Sequence, residues 1–269
     1  MHAPVSSIIP PDLLLKAYRS GIFPMADSRD DPEIFWIEPK RRAILPLDGF
    51  HCSRSLAKAL RSERFTVTCN AAFDDVIAAC AAPRPDHPDS WISERIAASY
   101  RTLHAAGHAH SIECWQGGKL VGGLYGVGFD RVFCGESMFS RVTNASKIAL
   151  AWLVAALRHA GVELLDCQFI TGHLASLGAI EISQNAYLDR LMQAQDQRGA
   201  GWLSLPEGFA ALLAAAGAAV SPAGDAGTGG AAGATGDLGA GVDGVAPEGA
   251  LSPASSPGKF IAQSLTHTS

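Results

Sequence analysis

Charge, paired cysteine and long apolar stretches are all scarce in these 269 residues. Only 17% of the side chains are charged against 48% hydrophobic, which excludes a highly charged disordered chain and leaves ample material for a buried core. The six cysteines (Cys52, Cys69, Cys80, Cys114, Cys134 and Cys167) are scattered, with no C-x-x-C pair. They read as reduced packing residues of a cytoplasmic protein, not as a disulfide framework or redox motif. No apolar run reaches the length of a membrane span. The opening "MHAPVSSIIPPDLL" has neither the basic start nor the apolar core of a signal peptide.

An excess of positive charge is lacking too. The net charge of −5 speaks against nucleic acid, but it is unevenly spread. From Gly217 onward Asp225, Asp237, Asp243 and Glu248 stand against Lys259 alone, whereas Lys40, Arg41, Arg42, Arg54, Lys58, Arg61 and Arg64 cluster within the first 65 residues. Such a local basic face suits a phosphate backbone despite the acidic total.

Composition and periodicity divide the chain into a small N-terminal lobe over 1–62, a larger domain over 63–216 and a tail over 217–269. The tail is little but Ala, Gly, Pro and Ser, too poor in apolar surface to offset ordering entropy, and is expected to be disordered. In the lobe, "PDLLLKAYRSG" predicts a short helix, "EIFWIEP" and "RAILPL" two extended pieces, and "SRSLAKALRSE" a helix with Arg54, Lys58 and Arg61 on one face.

The larger domain opens with the strand "FTVTC". Two helices follow, for which Asn70 and Ser93 are the expected N-caps. "AHSIECW", "KLVGGLYGV" and "RVFCGESMF" then form an antiparallel meander turned at Gly117-Gly118 and at "GFDR". An almost wholly apolar helix runs from about Ala145 to Ala160, with Asn144 as its expected N-cap and Gly161 as its stop. It leads to the strand "VELLDCQF". Strand, buried helix, strand implies a right-handed crossover to a parallel neighbour. The fold class expected is mixed α/β, with a mixed sheet in the order of the GNAT-type acyltransferases, on topology alone.

Alternation along "VELLDCQF" puts Asp166 and Gln168 on one face, about 6.5–7 Å apart, at the strand end where α/β sheets hold ligands. Glu136 lies near the end of the neighbouring strand, with Phe133, Met138 and Leu153 as walls. A bulge at Gly135 would help decide whether Phe133 or Glu136 faces in. "GESMF" lacks the closing glycine of a nucleophile elbow, which argues against Ser137 as nucleophile. His104, His108 and His110 have tempting metal spacing but no evident fourth ligand, so no metal is expected. The run Arg141 to Ser146 has no glycine with which to grip a CoA pyrophosphate.

"AYRSGIFP", "HCSRSL", "SWISERIAASYRTLHAAGHAHSIECW", "LVGGLYGV", "FCGESMFSRVTNASKIAL", "LLDCQ" and "HLASLGAIEI" together resemble the leucyl/phenylalanyl-tRNA–protein transferases, bacterial enzymes of the N-degron pathway. The resemblance runs from about Leu13 to Met192. It implies transfer of Leu, Phe or Met from aminoacyl-tRNA to the α-amine of proteins beginning with Lys or Arg, with no cofactor. It also implies Asp166 and Gln168 as the catalytic pair and Glu136 as the site glutamate. Leu124, Phe133, Met138 and Leu153 would line the side-chain pocket, and Tyr18, Trp91 and Tyr100 would lie near the tRNA 3′ end. The basic face of Arg54, Lys58, Arg61 and Arg64 would meet the tRNA backbone. Met25 stands where many members carry Trp. The competing readings are an N-acyltransferase with another activated donor and a non-catalytic tRNA-binding module.

Overall fold

The computed structural model describes residues 8–83, 89–196, 203–217 and 256–266. Its N-terminal part holds helix α1 (Pro11–Arg19) and the hairpin of β1 (Phe23–Met25) with β2 (Phe35–Ile37). Strand β3 (Arg41–Ile44) and helix α2 (Arg54–Arg61) follow. The large domain runs β4 (Thr66–Cys69), α3 (Phe73–Ala81), α4 (Glu94–Ala105), β5 (Ala109–Gln116), β6 (Lys119–Phe129), β7 (Val132–Ser140), α5 (Ala145–Ala160) and β8 (Leu164–Gln168). It continues through α6 (Gly172–Ala175), β9 (Ile180–Ser183), α7 (Gln184–Asp196) and α8 (Leu205–Ala215), and α9 (Pro257–Thr266) closes the chain.

Seven strands form one mixed sheet in the order β4-β5-β6-β7-β8-β3-β9. The meander β5-β6-β7 is antiparallel, and β8 joins β7 in parallel after the α5 crossover, as the sequence predicts. Strand β3 departs from expectation. It inserts antiparallel between β8 and β9, so the N-terminal part does not close at residue 62. The apolar "AIL" after the two arginines suits a central strand better than a free lobe, because Ala43, Ile44 and Leu45 are all buried.

Two apolar clusters sandwich the sheet. α5, α2, α8 and α9 cover one face, around Leu124, Phe133, Leu153 and Leu165. On the other lie α1, α3, α4 and α7, around Tyr18, Tyr100, Tyr125 and Tyr187. Backbone and helix approach closely at Gly122, where a Cβ would sit 2.5 Å from that of Ala145 at the start of α5.

Three caps test the local readings. Ser93 accepts from the Ile96 N–H at 3.4 Å, as expected. Asn70 does not cap α3. It takes a left-handed turn (φ 58°) and accepts from the Ser111 N–H, while the buried Glu113 reaches across from β5 to the Ala71 and Ala72 N–H groups. Asn144 is likewise left-handed (φ 72°) with no side-chain cap, and the Ser140 hydroxyl accepts from the Ser146 N–H in its stead. Sequence alone assigned these caps to the nearest Asx residue, but a neighbouring strand supplies them.

Most of the tail expected to be disordered (218–255 and 267–269) lies outside the described residues. Residues 257–266 overturn that expectation: α9 packs on α2 and α5 with Ile261, Ala262 and Leu265 buried, and the Ser264 carbonyl accepts from Arg158 at 3.1 Å. Deleting α9 uncovers Leu56 and Leu60 and removes two large side chains from the core, a loss on the order of 3 kcal/mol. Urea denaturation of the truncated chain should show a lower midpoint; an identical midpoint would mean that α9 adds nothing.

Candidate active site

Strands β7 and β8 pair only from Val132↔Leu164 to Cys134↔Asp166 and then part. Beyond that point β7 stays with β6 to Ser140, while β8 turns toward β3. The register of β6 passes from Tyr125↔Ser137 to Gly126↔Gly135, so Glu136 is the extra residue of a bulge. That is one place from the glycine singled out in the sequence. The bulge aims Glu136 into the gap, and Gln168 reaches it from the other lip: Gln168 Nε2 donates to Glu136 Oε1 at 2.8 Å.

A cavity of about 730 Å³ opens beside this bridge, large enough for a small-molecule ligand. Leu124, Met138, Leu150 and Leu153 form its apolar side, and Trp91, Phe169 and His173 also line it. Leu124 and Met138 are direct cross-strand partners, which explains how two residues distant in sequence make one wall. Phe133, expected as a third, does not line the cavity. Its ring lies in the core against Gly126, whose missing Cβ makes the room.

Asp166, expected in the notch beside Gln168, lies in the core and not at the cavity. It is fully buried, and Arg42 grips it through Nε–H to Oδ1 (2.9 Å) and Nη2–H to Oδ2 (2.6 Å). The Tyr187 hydroxyl donates to Oδ2 at 3.0 Å, and the Gln168 backbone N–H to Oδ1 at 2.8 Å. Both oxygens are engaged and Asp166 does not line the cavity, an arrangement that suits holding Gln168 in place. It holds Gln168 in a left-handed conformation (φ 60°), a strained setting for a side chain with a Cβ. Nothing in the sequence singles out Tyr187, and Arg42 belongs there to a basic cluster. Burial reveals its role: it is 1% exposed, lies over the Phe23 and Tyr187 rings and donates to the Gly21 carbonyl.

Tyr18 and Tyr100, expected near the tRNA 3′ end, are buried with no ring face open for stacking on a base. Their hydroxyls bond to each other, and Tyr100 donates to Glu136 Oε2 at 3.0 Å. Both hydroxyls thus meet the glutamate from the core side. Trp91, also expected near the tRNA 3′ end, lines the cavity. Arg54, Lys58, Arg61 and Arg64 are exposed and enter no ion pair among the described residues.

Two buried glutamates show what the site asks of Glu136. Glu113 accepts from Thr68, Ser111 and two backbone N–H groups, a complete structural set. Glu136 meets the Tyr100 and Tyr18 hydroxyls and the Gln168 amide, and among the described residues it enters no ion pair. Burial pushes its pKa up from the ordinary 4.5 to about 7, against the pull of the tyrosine hydroxyls. Between those two values the folded carboxyl keeps a proton that the unfolded chain has released. Stability therefore falls as pH rises through that window, by about 3 kcal/mol in total. Glu136→Gln should flatten this slope in urea midpoints taken at pH 5 and pH 8; an unchanged slope would place the titration elsewhere.

The histidine cluster holds no metal geometry. His104 stacks on Phe73 at 4.1 Å and bonds to the Ala109 carbonyl, while His110 meets Asn70 at 3.0 Å. Among the described residues no group of three potential ligands is placed to bind a metal ion. All six cysteines are free, and no described helix is long and apolar enough to cross a membrane.

With this geometry established, comparison with known proteins decides the family. Residues 44–192 match the model of the leucyl/phenylalanyl-tRNA protein transferase family, and residues 8–40 match that of its N-terminal domain. The chain belongs to this family. A leucyl/phenylalanyl-tRNA–protein transferase of Novosphingobium aromaticivorans is 65% identical over 261 residues, 97% of each chain. One from Rhodospirillum rubrum is 51% identical over 76% of this chain and 96% of its own. One from Zymomonas mobilis is 60% identical over 71% of each. As a member of this family the protein is an aminoacyltransferase. Among solved structures, a C-terminal DUF2156 domain from Agrobacterium fabrum overlays on 69% of this chain and 62% of its own. Its TM-score is 0.33 at 12% identity, too slight a likeness to assign the fold type. The interval between the two family matches, residues 41–43, falls within β3.

Proposed function

We propose that this transferase moves Leu, Phe or Met from aminoacyl-tRNA to the α-amine of proteins beginning with Lys or Arg, marking them for degradation, on a GNAT-like frame. The observation that carries the reading is the Glu136–Gln168 bridge across the parted strands, with an apolar notch beside it. The donor side chain enters between Leu124, Met138 and Leu153. Trp91 faces the terminal adenosine, and α2 offers unpaired cations to the acceptor-stem phosphates.

The chemistry makes modest demands. The ester is already activated, and an α-amine of pKa about 7.7–8.0 is partly neutral at cellular pH. The amine nitrogen attacks the ester carbonyl, a C–N bond forms and the C–O bond to the ribose breaks. The ribose oxygen leaves with the proton the amine loses. Because Gln168 Nε2 is committed to Glu136, Oε1 is the atom left to accept the amine's hydrogen bond, and alignment supplies most of the rate. A substrate ammonium beside Glu136 would stabilise its ionised form.

The test is incubation with labelled Leu-tRNA, Phe-tRNA or acetyl-CoA and a peptide beginning with Arg. RNase-sensitive transfer to the peptide is the expected result, and label from acetyl-CoA alone overturns the reading.

A further inference from the structure

The β1–β2 hairpin at the cavity rim has no part in the chemistry above. Ala26, just past β1, donates its N–H to the Trp91 carbonyl at 3.2 Å. The Phe23 ring meets Phe169 edge-on at 5.8 Å. Both Trp91 and Phe169 line the cavity, so the hairpin is fastened to the cavity wall at two points. Yet it exposes large aromatics: Phe35 is 41% and Trp36 43% accessible, and Phe169, which its Phe23 ring meets, is exposed as well. Exposed apolar surface of this kind beside a cavity marks a contact surface.

Charge names the occupant. Between residues 27 and 38 the hairpin holds Asp27, Asp30, Asp31, Glu33 and Glu38 against Arg29, with Arg95 of α4 the added cation, donating to the Pro32 carbonyl at 3.2 Å. None of these five carboxylates enters an ion pair among the described residues. RNA phosphates would be repelled there, whereas the unpaired cations of α2 suit them. A basic polypeptide fits on both counts, with its cations meeting the carboxylates and lying over the exposed rings.

We propose that the β1–β2 hairpin is the docking surface for a basic N-terminal stretch of the acceptor polypeptide, beyond its first residue. This rests on the transferase reading and extends it from the terminal amine to the residues behind it. The acidic hairpin draws the chain in, the rings hold it, and the amine is delivered to Gln168. Attraction between exposed charges weakens with salt.

The test compares two acceptors with Leu-tRNA as donor: an Arg-led peptide with Lys at the next four positions and one with Ser there. The wild-type protein should show a KM about ten-fold lower for the lysine peptide at low salt, with the gap closing at high salt. A combined Asp30→Asn, Asp31→Asn, Glu33→Gln variant should lose that preference while its KM for Leu-tRNA stays put. Trp36→Ala should raise the KM for the lysine peptide. A preference that survives both variants overturns the docking surface. So does a change in the Leu-tRNA KM alone, which would make the hairpin an RNA contact. Absence of transfer to either peptide by the wild type overturns the transferase reading, and the docking surface with it.

Discussion

Gln168→Ala is expected to lower peptide-bond formation by about 100-fold while the folded state survives. The substitution removes Oε1, the acceptor placed for the incoming amine, and Nε2, which holds Glu136 at 2.8 Å. The stability cost is one buried hydrogen bond, about 1 kcal/mol, plus little change in backbone strain because Ala also carries a Cβ. Single-turnover transfer from labelled Leu-tRNA, measured alongside a urea melt, separates the two effects. Full activity in Gln168→Ala would remove Gln168 from the mechanism. Gln168→Glu sharpens the test, since two carboxyls at that separation hold a shared proton. Any activity it retains should shift to lower pH, and a pH profile identical to that of the wild type would contradict the bridge.

Arg42→Met is expected to be among the most destabilising single changes in the chain. It leaves Asp166 buried and charged with the Tyr187 hydroxyl, the Gln168 N–H and the weak Cys134 thiol as donors. Breaking one side of such a pair costs about 3–5 kcal/mol. Pairing Arg42→Met with Asp166→Asn should recover part of this, because a neutral amide is cheaper to bury. A double-mutant cycle in urea measures the coupling. If the single change costs less than about 1 kcal/mol, the pair is not the fixed support that the buried geometry describes. The double variant should fold and still be slow in transfer, because Gln168 loses the charged anchor of its left-handed turn.

Much of the site was legible because its signals are local. Alternation in β7 and β8, Gly117-Gly118 between β5 and β6, and Gly161 after α5 specify a meander, a crossover and a parallel pair. That topology alone brings Glu136 toward Gln168. The apolar Met138 and Leu153 follow from the same alternation and from the helix period, whereas Leu124 comes from the family resemblance. Phe133 shows the limit: a one-residue bulge at Glu136 separates the two faces differently, and the ring goes to the core.

Arg42, Tyr18 and Tyr100 were not legible in these roles for a related reason. "KRR" reads as a solvated basic run, and only the insertion of β3 between β8 and β9 buries Arg42 against Asp166. The resemblance puts the two tyrosines near the tRNA 3′ end, and only the packing shows that their rings are buried, because burial cannot be read from residue type. Asn70 and Asn144 carry the local signature of caps, yet Glu113 and Ser140 do that work from neighbouring strands.

By itself, then, the sequence determined the order of the elements, the parallel strand beside the meander and the polar residues at its end, since these depend on spacing along one segment. Tertiary structure alone decided which carboxyl is held by an arginine and which stays open to a ligand. It likewise decided that a helix at the far end of a low-complexity tail returns to the core. Those outcomes depend on strands and helices far apart in the chain, and burial arises only once such segments meet.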